Sequence, residues 1–213
     1  MAINIRELYF RVTSRPEILP GAMRSALMDA GIAVCRESNL LKQTVFATLN
    51  VGASWIGIPT PPNHEVVRVD QVFYRDPTDT YAKWQVLSEI APVYLERQRL
   101  NVESHDQAVP SSWGLRGSTL YLQAPANGIY PLRITYAWTP TRASRPEVFD
   151  LPSIAEEAII AYARWILLQD IDPKAADDAK RKYDREELPN LVGLGETGES
   201  GTRSLFDFLP SEG

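Results

Sequence analysis

Residues 130–170 read YPLRITYAWTPTRASRPEVFDLPSIAEEAIIAYARWILLQD, and the hydrophobic period changes partway along them. In YPLRITYAW, Leu132, Ile134 and Tyr136 alternate with Arg133 and Thr135. Successive side chains of a strand point to opposite faces, so this alternation predicts a strand with one buried face. Further on, Ile154, Ala158, Ala161, Trp165 and Leu168 recur at helical spacing, widened by Ile159, Tyr162 and Ile166. That predicts a helix over residues 153–170 with an apolar face broad enough for more than one neighbour. Ser153 and Glu156 stand at the S-x-x-E spacing of a capping box, in which each side chain satisfies the other's free backbone N–H. A chain that keeps the two periods in separate blocks belongs to the α+β class.

The same division extends upstream. In residues 20–36 Met23, Leu27, Ala30 and Val34 mark one face of a second helix, and Gly31 leaves room there for a close neighbour. Few other apolar helical stripes exist, so the helices of residues 20–36 and 153–170 are expected to pack together. Met23, Leu27, Val34, Trp165 and Ile166 are the contact residues expected. Residues 3–12 fit a helix or a strand. Between the helices, TVFATLNV, EVVRVDQVFYR, STLYLQAP and YPLRITYAW are β-branched and aromatic, with turn signals at residues 59–63, Asp76-Pro77, Arg116-Gly117 and Asn127-Gly128. Asn127-Gly128 is positioned to close a hairpin. Downstream, Asp172-Pro173 supplies an N-cap and a proline at the first helical position. The helix that follows, PKAADDAKRKYDREEL, has a thin stripe of Ala176, Ala179 and Tyr183 and is expected to stop at Pro189. The architecture expected is a helical bundle part from the N- and C-terminal helices (20–36, 153–170, 173–188) with an inserted antiparallel β-sheet or sandwich over residues 43–140. All of it forms one domain, residues 1–190, followed by an extended C-terminal arm, residues 191–213.

Composition supports a packed core: 44% of residues are hydrophobic and 23% charged, close to an ordinary globular protein. No run of about 18 apolar residues predicts a membrane-spanning helix. Arg6 and Glu7 fall where a signal peptide needs apolar residues, so secretion by that route is not expected. Cys35 is the single cysteine, which excludes an internal disulfide and a multi-cysteine metal site. It is read as a small buried hydrophobe. The net charge of -5 opposes gripping DNA, which needs clustered Lys and Arg.

Candidate chemistry is thin. Residues 193–198 match G-x-G-x-x-G, but a helix precedes them, no strand does, and Glu196 and Glu199 would repel phosphate, so a linker is expected. His64 and His105 are far apart in polar, loop-like stretches, with no metal-ligand partner at regular spacing. No G-x-S-x-G elbow is present. The acidic pairs Glu156-Glu157, Asp177-Asp178 and Glu186-Glu187 each point in divergent directions on a helix, so none forms a catalytic dyad by itself. No catalytic residue, metal or cofactor is assigned. Trp55, Trp84, Trp113 and Trp138 lie in the β-rich part, where aromatics serve as core or interface, or line a sugar-binding groove. A small carbohydrate-binding or carbohydrate-active protein is the alternative reading they support.

The order of segments resembles the head-to-tail adaptor proteins of tailed bacteriophages, also called connector or head completion proteins. One match is AMRSALMDAGIAVCRESNLLKQT, with Val34, Cys35, Arg36, Glu37 and Ser38 ending the early helix. A second is IGIPTPPNHEVVRVDQVFY, a strand, a proline-rich turn and a strand. A third is VPSSWGLRGSTLYLQAPANGIYPLRITYAWTPT, where Pro110, Trp113, Gly117, Leu120, Leu122, Pro125 and Tyr136 stand in the pattern such proteins show. The last is LPSIAEEAIIAYARWILLQD followed by AADDAKRKYDREEL. The likeness spans residues 20–188, and its order is more specific than any one piece. It implies a non-enzymatic virion protein of the phage neck, made in the host cytoplasm. It also implies a twelve-fold homo-oligomeric ring between the portal protein and the tail or nozzle proteins, with DNA passing through unbound by sequence and no membrane contact. An acidic chain suits a lumen that must not hold passing DNA. The arm contains SLFDFLP, where Leu205, Phe206, Phe208 and Leu209 are expected to dock on the portal or a neighbouring subunit, the alternative being a fold back onto its own subunit.

Overall fold

The computed structural model describes residues 2–12, 15, 18–78, 82–91, 93–95, 107–144 and 146–197. In chain order they form β1 (Ile3–Asn4), α1 (Ile5–Val12), α2 (Pro20–Ser38), β2 (Lys42–Leu49), β3 (Trp55–Gly57), β4 (His64–Tyr74), β5 (Gln85–Val86), β6 (Ser88–Glu89), β7 (Ser112–Arg116), β8 (Thr119–Leu122), β9 (Tyr130–Pro140), β10 (Val148–Phe149), α3 (Ala155–Leu168), α4 (Pro173–Lys182) and α5 (Leu188–Thr197). A 3-10 turn, Arg142–Ser144, follows β9, and a π turn, Tyr183–Glu187, joins α4 to α5. The fold is α+β. Two compact units divide it: residues 1–42 with 138–213, which is helical, and residues 43–137, which is β-rich.

In the helical unit α2 packs against α1, α3 and α5. Met23, Leu27, Ala30 and Val34 are buried, as the stripe requires, but so are Ala26, Met28, Ile32 and Cys35. Helices on several sides, rather than one sheet face, account for burial around most of α2. The Cys35 thiol is fully buried and pushed far above its ordinary range by desolvation, as an inert apolar side chain would be. Gly31 has the neighbour its size allows: a β-carbon there would lie 2.4 Å from the ring of Phe149. On α3 the deep positions are Ala158, Ile159, Ile160 and Ala163. Trp165 and Ile166 are half-buried against the same core. Trp165 meets Tyr162 edge to face, centroids 5.0 Å apart, and the Lys180 ammonium lies 4.6 Å from its ring. The ambiguous residues 3–12 turn out to hold both structures: β1 pairs antiparallel with β10, Ile3 opposite Phe149, and α1 follows at once.

The helix ends are where local reading and structure part. Asp172 caps α4 as expected, its carboxylate accepting from the Ala175 N–H at 3.1 Å. The Ser153–Glu156 capping box does not form. The chain already turns at residues 152–156, so the carbonyls of Pro152 and Ser153 take the N–H groups of Ala155 and Glu156. The Glu156 side chain goes to Arg11 instead. Pro189 does not stop the helix either. A proline ring collides with the carbonyl four residues back, here Arg185. The wide turn at residues 183–187, where the Leu188 N–H reaches the Tyr183 carbonyl, moves that region out of regular helical register. Pro189 then sits in the first turn of α5, which needs no N–H from it. Residues 193–197 of the anticipated linker are therefore helical.

The β-rich unit holds two four-stranded sheets, in orders β2-β9-β4-β5 and β3-β8-β7-β6. In β9, Leu132, Ile134 and Tyr136 are fully buried and Arg133 and Thr135 are not, as the alternation predicts. Asn127-Gly128 does not close a hairpin: it connects β8 in one sheet to β9 in the other, and neither residue has positive φ. Asn127 instead accepts from the Tyr130 hydroxyl at 2.6 Å. The tight hairpin lies one turn signal earlier, between β7 and β8, where Arg116 faces Thr119 and Gly117 has φ 60°. Positive φ at the first of two loop residues alone marks a type II′ turn, which favours glycine there. The sheets are not purely antiparallel, because β6 runs parallel to β7.

Candidate docking surfaces

The aromatic residues of the β-rich unit do not share one platform. Trp113 is buried, its indole N–H donating to the Leu87 carbonyl at 3.2 Å. Trp55 stands exposed on β3, an edge strand, opposite Tyr121. Trp138, in the helical unit, packs against that unit's core. Trp84 lies over the solvent side of the β2-β9-β4-β5 sheet. A sugar groove built on several tryptophans is therefore not assembled among the described residues.

What does assemble is a layer around Trp84. Strand parity puts Thr44 and Phe46 of β2 on the same side as Arg133 and Thr135 of β9. The Thr44 and Thr135 hydroxyls meet at 3.0 Å across these neighbouring strands. Phe46 approaches Trp84 with centroids 6.0 Å apart. The Arg133 guanidinium lies 4.2 Å from the Phe73 ring centre and 5.4 Å from that of Trp84, and Arg75 lies 5.6 Å from Trp84. Aromatic faces attract cations, and a guanidinium stacks on them while its N–H edge stays free to bond. Phe46 remains 53% exposed. Flat rings and edge-on donors together make a surface suited to an apolar segment with an acidic group beside it.

The remaining candidates are placed as follows. His64 Nδ1 donates to the Pro62 carbonyl at 2.8 Å, and His105 lies outside the described residues. No group of three His, Cys, Asp or Glu side chains is placed to hold a metal among the described residues. Glu156 and Glu157 both bind Arg11, and Glu157 also receives Lys182 at 3.2 Å. That hydrogen bond to Lys182 is the main reason the Glu157 carboxyl is held below its ordinary range, with Arg11 adding to it. These carboxylates join helices. Leu205, Phe206, Phe208 and Leu209 lie outside the described residues.

The family model described as SU10 adaptor protein matches residues 4–200. The chain belongs to the SU10 adaptor protein family. No curated protein sequence matches it. The adaptor is a structural protein of a bacteriophage, and the match runs through both units, from Asn4 of β1 past the end of α5. No helix among the described residues of the adaptor is long and apolar enough to cross a membrane. For an adaptor the surface of interest is one that can meet other phage components. The sequence pointed to Trp84, and to the outward parity of Arg133, but not to their meeting with Phe46, Phe73 and Arg75. Strand order brings those five together, and one sequence carries no direct signal for strand order.

Proposed function

We propose that copies of this adaptor close into a ring, twelve-fold as the resemblance implies, between the portal protein and the tail or nozzle proteins of the phage neck. DNA passes through the centre without base-specific contact. The observation that carries the reading is the adaptor-family match over residues 4–200 of a 213-residue chain. The net charge of -5 supports it, because a wall that does not neutralise phosphates lets DNA slide. So do exposed apolar side chains on both units, among them Phe10, Leu19 and Ile171 on one and Phe46, Trp55 and Val86 on the other. Head-to-tail contacts between identical subunits close a ring when the rotation closes. The terminal segment with Leu205, Phe206, Phe208 and Leu209 ties each copy to the portal or to its neighbour. The protein has no catalytic role; it is made in the host cytoplasm and works in the virion.

Co-expression with candidate portal proteins, followed by electron microscopy and native mass spectrometry, tests this. A closed ring seated on the portal is the expected result. A chain that stays monomeric beside every assembled portal overturns the reading.

A further inference from the structure

The layer around Trp84 has the wrong composition for a surface that only faces water. Two guanidiniums lie on two rings, Phe73 and Trp84, and among the described residues neither Arg75 nor Arg133 has a carboxylate partner. Elsewhere the protein pairs such groups readily, as Arg11, Arg24 and Arg142 do. An acidic, aromatic segment would complement this layer, and the chain carries one. Residues 198–213 hold Glu199, Asp207 and Glu212 against the single cation Arg203, and they include Phe206 and Phe208. In an extended chain Phe206, Phe208, Pro210 and Glu212 share one side. Glu212 then stands about 13 Å beyond Phe208, on the face that carries the phenyl rings. On the sheet the Arg133 and Arg75 guanidiniums lie 5.4 and 5.6 Å from the Trp84 ring, and Phe46 lies 6.0 Å from it.

We propose that this sheet face receives the C-terminal segment of a second copy of the adaptor, with Phe206 and Phe208 packed on Phe46 and Trp84 and Glu212 paired with Arg133 and Arg75. The inference rests on the ring reading in one respect only, that copies meet. From Thr197, the end of α5, nine residues to Phe206 span at most about 30 Å, enough to cross to an adjoining subunit. Stacked arginines are pre-organised for a carboxylate, so the contact adds direction to what the rings alone would hold loosely.

The full-length protein, with the photoreactive residue p-benzoylphenylalanine at position 206, tests it. Copies labelled with nitrogen-14 and nitrogen-15 are mixed before assembly and illuminated, both as isolated protein across a concentration series and on portal-bearing particles. Cross-links to the peptides containing Phe46, Phe73 or Trp84, in mixed-isotope pairs, are expected. Glu212→Lys, which lies outside the folded core, should lower their yield roughly fivefold, as one charge-assisted contact becomes repulsive. Adding Arg75→Glu and Arg133→Glu should restore it. Cross-links confined to same-isotope pairs, cross-links to portal alone, or a yield indifferent to Glu212→Lys each overturn the proposal. A ring that forms without these cross-links sinks this inference and leaves the ring intact. Cross-linked copies that never seat on a portal do the reverse.

Discussion

In the helical unit arginines reach carboxylates far along the chain: Arg11 meets Glu156 and Glu157, Arg24 meets Glu147, and Arg142 meets Asp29 at 2.9 Å. Arg164 turns inward too, donating to the Arg11 and Val12 carbonyls that end α1. In the β-rich unit Arg75 and Arg133 lie on aromatic rings. Exposed apolar side chains do not divide this way: Phe10, Leu19 and Ile171 stand out from the helical unit as Phe46, Trp55 and Val86 do from the β-rich one. The contrast lies in the arginines: carboxylates and carbonyls hold those of the helical unit, and rings hold Arg75 and Arg133.

The most damaging challenge to the helical unit is Leu27→Ala. Leu27 is fully buried at the centre of α2, and truncation there should cost about 2–5 kcal/mol. Trp84→Ala on the β-rich unit should leave the denaturation midpoint close to wild type. Equal losses from the two substitutions in chemical denaturation would erase the contrast. A finer challenge is Gly31→Ala. Its β-carbon meets a Phe149 ring that is itself buried, so the overpacking should cost about 1–3 kcal/mol. Phe149→Leu in the same chain should recover part of the loss. A fully additive double mutant, measured by calorimetry, would mean the two sites do not touch.

The smallest effect concerns the ion pairs. Lys182 holds the Glu157 carboxyl below its ordinary 4.5, and Glu157 raises Lys182 above its ordinary 10.5. A depressed carboxylate contributes fully above pH 4.5 and loses that contribution as pH falls through its folded value. A raised lysine contributes fully below pH 10.5 and loses it as pH rises further. Both side chains are partly exposed, so the pair is worth under about 1 kcal/mol. Glu157→Gln should therefore lower the melting temperature slightly at pH 7 and flatten the fall in stability below pH 4.5. An unchanged acid limb would show that the helices do not depend on this pair.

What the sequence made legible was whatever depends on near neighbours. The stripe of α2, the alternation of β9 and the cap at Asp172 are set by spacings of two to four residues, and all three are present. The capping box failed because Glu156 had a better partner in Arg11, far away in the chain. The hairpin at Asn127-Gly128 failed because β9 lies between β2 and β4, a choice made by sheet packing rather than by the turn. The ring-and-arginine layer was invisible for the same reason. Each of its residues looked ordinary alone, and only the order of strands makes them a surface.

The wide turn at Tyr183–Glu187 works as a phase correction. A regular helix advances about 100° per residue, so Leu191, eight residues after Tyr183, would drift almost a quarter turn away from it. One extra residue in the turn removes that drift and points Leu191 back to the core, where both it and Tyr183 are buried. The last helix is thereby keyed to the same groove as the one before it, past a proline that would otherwise have let it swing. The bearing of α5 on the core is thus set by a single surplus residue.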